Sequence, residues 1–155
     1  KHIHAKKIIF CEGAAAIQNP LFRDLPFTKN RGDVLLIAVQ GMPEKFIYHN
    51  GIRLIPVGGQ LFWCGSNYTW NYTDLNPDAA WKKQTIAHLQ QWLKLPFTIQ
   101  DHIVAERPTT AGQQPLTLAH ESLPAFIFNG LGTKGFLMAP LLAKQFVDKI
   151  TDGFS

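Results

Sequence analysis

The residues most suggestive of chemistry lie near the end of the sequence, where three glycines follow an apolar segment. Gly130-Leu131-Gly132-Thr133-Lys134-Gly135 matches the pattern G-x-G-x-x-G, between a strand predicted over residues 125–128 and a helix predicted over residues 137–150. Glycines before a helix let a ligand approach the backbone closely, and the first amides of the helix attract negative charge. We therefore expect Gly130, Gly132, Thr133, Lys134 and Gly135 to bind an anionic or carbonyl-bearing group.

The same glycine pattern is the fingerprint of dinucleotide-binding proteins, but its surroundings do not fit that use. A dinucleotide-binding unit needs a further strand after the helix, carrying an acidic residue for the ribose. Only residues 151–155 follow the predicted helix, so we do not expect a complete unit of this kind. A tight strand-to-helix turn that binds nothing is the alternative that the residues leave open.

Arg107 is the second candidate for chemistry. It ends a strand predicted over residues 97–107, and Pro108 holds the residue before it in an extended conformation. A guanidinium group fixed in this way can bind a carboxylate through two parallel hydrogen bonds. The alternative is a surface arginine paired with a neighbouring acidic residue.

The elements that must position these residues begin with a series of short strands. Residues 33–40, 46–48, 53–57 and 60–64 are rich in β-branched and aromatic side chains. Asn50-Gly51 and Gly58-Gly59 are preferred pairs for two-residue hairpin turns, in which both residues need a positive φ. Strands joined so tightly must be antiparallel. The pattern therefore predicts an α+β fold, a mostly antiparallel hairpin meander with flanking helices.

Two helices and two further strands complete the predicted fold. The first helix starts with Asn76 as its N-cap and Pro77 in its first turn, and its apolar stripe is Ile86, Leu89 and Leu93. The last helix carries Leu142, Phe146 and Ile150 on one face. Residues 7–11 and 125–128 are predicted strands, and residues 109–124 are a predicted loop.

The composition limits the possible partners. The 155 residues are 46% hydrophobic and 17% charged, with a net charge of +4. The basic residues are scattered and form no stripe for nucleic acid. The longest apolar run, residues 136–143, is too short to span a bilayer. Residues 6–16 imitate a signal peptide but are interrupted by Glu12. We therefore expect a cytoplasmic protein with no membrane span and no nucleic-acid partner.

The cysteines and histidines carry no recognisable motif. Cys11 and Cys64 match no metal or redox spacing, and we expect two buried free thiols. His2 and His4 would share one side of a strand but have no third ligand nearby. We therefore predict no metal site.

Five segments, taken in order along the chain, carry a resemblance to a known family. They are Ile8-Ile9-Phe10-Cys11-Glu12-Gly13-Ala14, Arg31-Gly32, the strand pair from Leu54-Ile55-Pro56 to Gly65-Ser66, Arg107-Pro108-Thr109-Thr110, and FNGLGTKGFLMAP over residues 128–140. Together they resemble the C-terminal part of the D-amino-acid-oxidase-like FAD-dependent oxidoreductases, the group that includes glycine oxidase and sarcosine oxidase. Glu12 and Thr133 depart from the family's usual residues, which leaves the substrate open.

The resemblance implies an enzyme that oxidises the C–N bond of an amino acid or secondary amine with FAD. It implies that residues 1–23 and 109–155 are segments of the FAD-binding domain and that residues 24–108 are the antiparallel substrate-binding domain. The resemblance further implies that the N-terminal half of the FAD-binding domain is missing from this chain and is needed as its partner. We expect this chain alone to be inactive, to retain no FAD and to self-associate through exposed strand edges.

The resemblance also implies roles for individual residues. Arg107 would bind the substrate carboxylate, and Arg53, Tyr48, Tyr68 and Trp63 are candidates for the walls of the substrate pocket. The alternative for each of these four is packing in the core or on the surface. Gly13 and the glycine pattern with Lys134 would contact FAD.

A second hypothesis is a non-catalytic module that binds a ligand such as a sugar. It rests on an aromatic-rich sheet region, in which Trp63, Tyr68, Trp70 and Tyr72 lie within ten residues of one another.

Overall fold

The chain folds into two sheets and two α-helices in a computed structural model that describes residues 2–153. The elements, in chain order, are β1 (Ile8–Phe10), a 3-10 helix (Gly13–Gln18), β2 (Phe27–Val39), β3 (Tyr48–Asn50), β4 (Ile52–Gly58), β5 (Leu61–Gly65), α1 (Ala79–Trp92), β6 (Phe97–Thr110), β7 (Leu116–Ala119), β8 (Ala125–Asn129), a 3-10 turn (Gly132–Lys134) and α2 (Gly135–Asp152). The predicted α+β class, with mostly antiparallel strands and few helices, is confirmed.

The larger sheet has five strands in the order β3-β4-β5-β2-β6. The pairs β3–β4 and β4–β5 are antiparallel, as the tight turns predicted. β2 also pairs antiparallel with β5, although no tight turn joins these two strands. The smaller sheet has the order β1-β8-β7. Here β1 is parallel to β8, whereas β7 is antiparallel to it.

Contacts divide the chain into two units. Residues 1–30 and 107–155 form one, which we call the split unit, and residues 31–106 form the other, the continuous unit. The sequence predicted domain limits between residues 23 and 24 and between residues 108 and 109. Which unit belongs to a cofactor domain and which to a substrate domain stays a prediction.

The continuous unit has a closed hydrophobic core between α1 and one face of its sheet. Leu89 of α1 is fully buried there, and Ile86 and Leu93 pack against the same cluster, which confirms the predicted stripe. The other fully buried members of this core are Leu35, Ile37, Val39, Leu54, Phe62 and Cys64.

The split unit has two smaller clusters. One joins Phe22, Leu116 and Ile127 below the smaller sheet. In the other, Phe146 and Ile150 of α2 pack on Phe126, as the predicted apolar face of the last helix requires.

Strand limits near the edge of the larger sheet differ from the prediction. β2 begins at Phe27 rather than at residue 33, and β6 continues through Pro108 to Thr110. Proline does not end β6 because β6 is an edge strand, where a missing N–H removes no necessary ladder bond. Residues 109–124 were predicted as a loop, which is wrong for β7 (Leu116–Ala119), paired with β8.

Both hairpin turns also differ in detail. Asn50 pairs with Ile52, so Gly51 alone makes the first turn, with a φ of 70°. The second turn is Gly59-Gln60, and Gln60 has a φ of 63°. This conformation is held by hydrogen bonds because the Gln60 amide donates to Oε1 of Glu44 at 2.6 Å.

The start of α1 lies two residues later than predicted. Asp78, not Asn76, is the N-cap, and its carboxylate accepts hydrogen bonds from the amides of Ala80 and Trp81 at 2.9 Å.

The prediction of two buried thiols is half wrong, since Cys64 is buried but Cys11 is exposed.

Candidate functional site

The split unit brings together the glycine-rich segments that the sequence singled out. Gly13, Gly130 and Gly132 all have a positive φ, of 60°, 69° and 59°. At Gly130 a side chain is excluded sterically as well, because a Cβ there would lie 2.8 Å from Cγ2 of Thr110. The turn that contains Gly130 therefore packs directly against Thr110 at the end of β6.

Asn129 ties two of these glycines together, and sequence reasoning missed it. Its Nδ2 donates to the carbonyl of Gly13 at 2.9 Å, and its Oδ1 accepts from the Gly130 amide at 2.8 Å. Asn129 is almost fully buried. Its position directly before the first glycine of the pattern was the available signal.

The remaining residues of the pattern lead into α2. Gly132, Thr133 and Lys134 form a 3-10 turn, and the side chains of Thr133 and Lys134 are exposed. The Gly135 amide donates to the carbonyl of Gly132 and is therefore used inside the turn. The described first turn of α2 carries no acidic residue, so a negatively charged group would meet no repulsion from it.

Arg107 lies within β6 rather than at its end, in the split unit. It is half-buried, and its Nη1 donates to Oδ1 of Asn30 at 2.6 Å. Asn30 is 3% exposed and lies on β2, the neighbour of β6 in the sheet. One partner of Arg107 is thus a neutral amide, which sequence reasoning did not single out.

The other predicted substrate residues lie in the continuous unit, and the structure does not place all of them on one face of its sheet: Arg53 shares a face with Trp63, whereas Tyr48 does not. Tyr48 pairs with the fully buried Leu54, its ring packs on Phe62, and its hydroxyl donates to the carbonyl of Pro43 at 2.8 Å. Arg53 is the neighbour of Leu54 on β4, so its side chain is on the opposite face of the sheet. Tyr48 and Arg53 therefore cannot line one pocket on a single face.

Tyr68 and Trp63 are both partly exposed. Tyr68 lies in the segment between β5 and α1, and Trp63 lies on β5, paired with Ile55 and Leu36. Their roles as pocket walls stay predictions.

A buried ionic cluster in the continuous unit was not predicted. Oδ1 of Asp33 lies 3.1 Å from Nη2 of Arg31 and 3.0 Å from Nε2 of His102, and it accepts from the Asp78 amide at 2.9 Å. Oδ2 accepts from Nδ2 of Asn67 at 3.3 Å. Burial alone would raise the pKa of this carboxyl, but these hydrogen bonds and the charge of Arg31 hold the pKa of Asp33 below its usual value. Asp33 is thus a structural anchor.

The described residues also bear on two other classes of site. Among residues 2–153, no group of three or more His, Cys, Asp or Glu side chains is placed to hold a metal ion. The described helices are all too short or too polar to cross a membrane.

The glycine turns have the chemistry that a negatively charged or carbonyl-bearing ligand would need. Three positive-φ glycines give close backbone approach, and Lys134 offers an exposed positive charge beside the turn. Such groups suit a carbonyl-bearing ring system that gains negative charge.

Comparison with solved structures identifies the class of fold. The chain is similar to glycine oxidase from Bacillus cereus ATCC 14579, with a TM-score of 0.80 and 13% identity over 97% of this chain and 44% of that one. It is similar to iminodiacetate oxidase from Chelativorans sp. BNC1, with a TM-score of 0.76 and 20% identity over 91% of this chain and 41% of that one. Fructosamine oxidase from Aspergillus fumigatus gives a TM-score of 0.71 and 14% identity over 98% of this chain and 43% of that one.

No protein-family model matches the chain. The chain spans about two fifths of the length of these solved structures, 41% to 44%. The fold is therefore that of one portion of amine and amino-acid oxidases. This agrees with the C-terminal portion expected from the sequence, and the family resemblance is confirmed for the fold.

Proposed function

We propose that this chain is the C-terminal portion of a FAD-dependent oxidoreductase that oxidises the C–N bond of an amino acid or secondary amine. The observation that carries the proposal is the half-buried Arg107, hydrogen-bonded to Asn30 within the same unit as the glycine turns. The fold shared with amine and amino-acid oxidases supports it.

Each proposed role follows from the chemistry of the side chain. Arg107 binds the substrate carboxylate, because a planar guanidinium offers two parallel hydrogen bonds to two oxygens. When bound, FAD supplies the two-electron acceptor. Gly13, Gly130 and Gly132 allow its close approach, and Lys134 contributes positive charge. The reaction demands no side-chain acid or base, so Arg107 acts by binding and orientation.

The test of this function is the variant Arg107→Lys in the complete flavoprotein. Lysine keeps the charge but loses the fork that meets both carboxylate oxygens. Losing one charged hydrogen bond, worth roughly 1.5–3 kcal/mol, raises the substrate dissociation constant about ten- to a hundredfold. Anaerobic flavin reduction measures this dissociation constant for a carboxylate substrate and, for comparison, for an amine that lacks the carboxylate.

The matched control is Arg23→Lys, because Arg23 is an exposed arginine of the same unit. It is expected to change neither dissociation constant. Equal losses for both substrates in Arg107→Lys would show that Arg107 is structural and would overturn the proposal.

We also propose that FAD binding requires polypeptide that this chain does not supply. The glycine turns contact one edge of the cofactor only, so most of its binding energy would come from elsewhere. The isolated chain is expected to purify without flavin absorbance. Stoichiometric flavin in the purified chain would contradict this part of the proposal.

A further inference from the structure

We propose that Asn50 is a site of spontaneous covalent modification, where the side-chain amide is lost through a cyclic imide with the backbone. The chain contains two Asn-Gly dipeptides, Asn50-Gly51 and Asn129-Gly130. The fold opens the first to this reaction and blocks the second. The proposal is independent of the proposed function, because the reaction needs only the chain, hydroxide and water.

The nucleophile is the backbone nitrogen of the residue that follows the asparagine. Hydroxide takes the proton of the Gly51 amide, and the nitrogen attacks Cγ of Asn50 to form a new N–Cγ bond. The Cγ–Nδ2 bond then breaks, and ammonia leaves with a proton from water. Water opens the cyclic imide at either carbonyl and gives aspartate or isoaspartate, so the product carries one more negative charge and nothing is oxidised or reduced. Glycine favours the attack because it places no side chain beside the nitrogen.

At Asn50 the reacting groups are exposed and the nucleophile is activated. Asn50 and Gly51 are both exposed in the hairpin turn between β3 and β4. The backbone carbonyl of Asn50 accepts a hydrogen bond from Nε2 of His88, on α1, at 2.6 Å. This carbonyl and the Gly51 N–H belong to one peptide group, so the negative charge left by loss of the proton is shared with the oxygen. A donor at that oxygen favours the charged form, and His88 therefore assists the reaction.

At Asn129 the same dipeptide is blocked. The Gly130 amide, whose proton would have to be removed, donates to Oδ1 of Asn129 at 2.8 Å. The Nδ2 group, which would have to leave, donates to the carbonyl of Gly13 at 2.9 Å. Asn129 is 5% exposed, so hydroxide reaches this peptide group only when the segment opens.

The modification would change the hairpin as well as its charge. Position 50 pairs with Ile52 across the turn. An isoaspartate there lengthens the backbone by one carbon atom and breaks this pairing and the geometry of the contact with His88. The tip of the β3–β4 hairpin is therefore the part of the sheet that the reaction alters.

The test is incubation of the purified chain at mildly alkaline pH, followed by tryptic digestion in weak acid and mass spectrometry. Peptide 46–53 contains Asn50 and peptide 95–134 contains Asn129, and neither holds a second asparagine. We expect Asn50 to gain about 1 Da, the difference between an amide and an acid. Its rate should be at least about tenfold that of Asn129, which must wait for local opening. In concentrated urea the two rates should converge.

Three variants sharpen the assignment. Asn50→Gln should stop the reaction in peptide 46–53, because the longer side chain disfavours the ring. His88→Phe removes the donor and should slow the loss at Asn50 about threefold or more, and His88→Gln, which offers another donor, should restore part of the rate. Equal native rates at Asn50 and Asn129, or the same ratio of rates in buffer and in urea, would overturn the proposal. A loss that is no slower in His88→Phe would overturn the assisting role of His88.

Discussion

The two units of the chain differ in the size of their fully buried cores. In the continuous unit, α1 and the sheet enclose a core in which Leu35, Leu54 and Phe62 have no exposed surface. In the split unit, the first half of α2 leaves Phe136 fully exposed and Leu137 largely exposed. The continuous unit therefore has the larger fully buried core, although it too leaves large apolar side chains exposed, among them Ile47, Tyr68 and Trp70.

The candidate site is also divided unevenly between the units. Arg107 and the glycine turns lie in the split unit, whereas the buried ionic anchor around Asp33 lies in the continuous unit. The larger buried core and the buried ionic cluster thus lie in one unit, and the groups suited to ligand binding lie in the other. The expected self-association of the chain through exposed strand edges stays a prediction.

The two cysteines give the largest expected difference between the units. Burial raises the pKa of the Cys64 thiol from 9.0 to about 12, which lowers its thiolate fraction about a thousandfold at pH 8. Cys11, in the split unit, is exposed. With a chromogenic disulfide reagent under native conditions, we expect one thiol per chain to react fast and the second to react only when the chain unfolds.

Cys11→Ser is the control for this assignment, because it should remove the fast phase and leave the slow one. Two thiols reacting at the same rate in the native protein would show that the core around Cys64 opens easily. The contrast between a closed and an open unit would then be wrong.

Two phenylalanines test the same contrast through stability. Phe62→Ala removes a fully buried ring from the continuous core and is expected to cost about 3–5 kcal/mol of the free energy of unfolding. Phe136→Ala removes a fully exposed ring of the split unit, so its effect is expected to stay within about 0.5 kcal/mol. Urea unfolding followed by circular dichroism measures both. A large loss in Phe136→Ala would show that α2 is covered in solution.

Two glycines give the smallest expected difference. Gly59→Ala, in the hairpin turn of the continuous unit, meets open space and costs about 1 kcal/mol for its positive φ of 64°. Gly130→Ala adds a clash with Thr110 to the same backbone strain, for a total of about 2–3 kcal/mol. The same urea titration compares them. Equal losses of unfolding free energy in the two variants would mean that the end of β6 shifts to accommodate the added methyl group.

The hairpin meander and both helices could be predicted from the sequence because their signals are local. Asn50-Gly51, the alternation of apolar residues and the stripe around Leu89 each act within a few positions along the chain. The glycine pattern was recognisable for the same reason. The limits of the elements were less predictable. A proline ends a strand in the interior of a sheet, but Pro108 lies in the edge strand β6 and does not end it.

The side-chain pairs of the site could not be predicted in this way. Asn30 and Arg107 are 77 residues apart in the sequence, and Asp33 and His102 are 69 apart. No local pattern links them, because their contacts exist only once β2 and β6 lie side by side.

The sequence by itself therefore determined the α+β class, the tight turns and the residue types available for binding, since each follows from short-range conformational preference. Only the tertiary structure decided that Arg107 has Asn30 as a partner, that Asn129 joins Gly13 to Gly130, and that Tyr48 and Arg53 lie on opposite faces of one sheet. The physical reason is strand pairing, which fixes which distant side chains meet and which face each of them occupies.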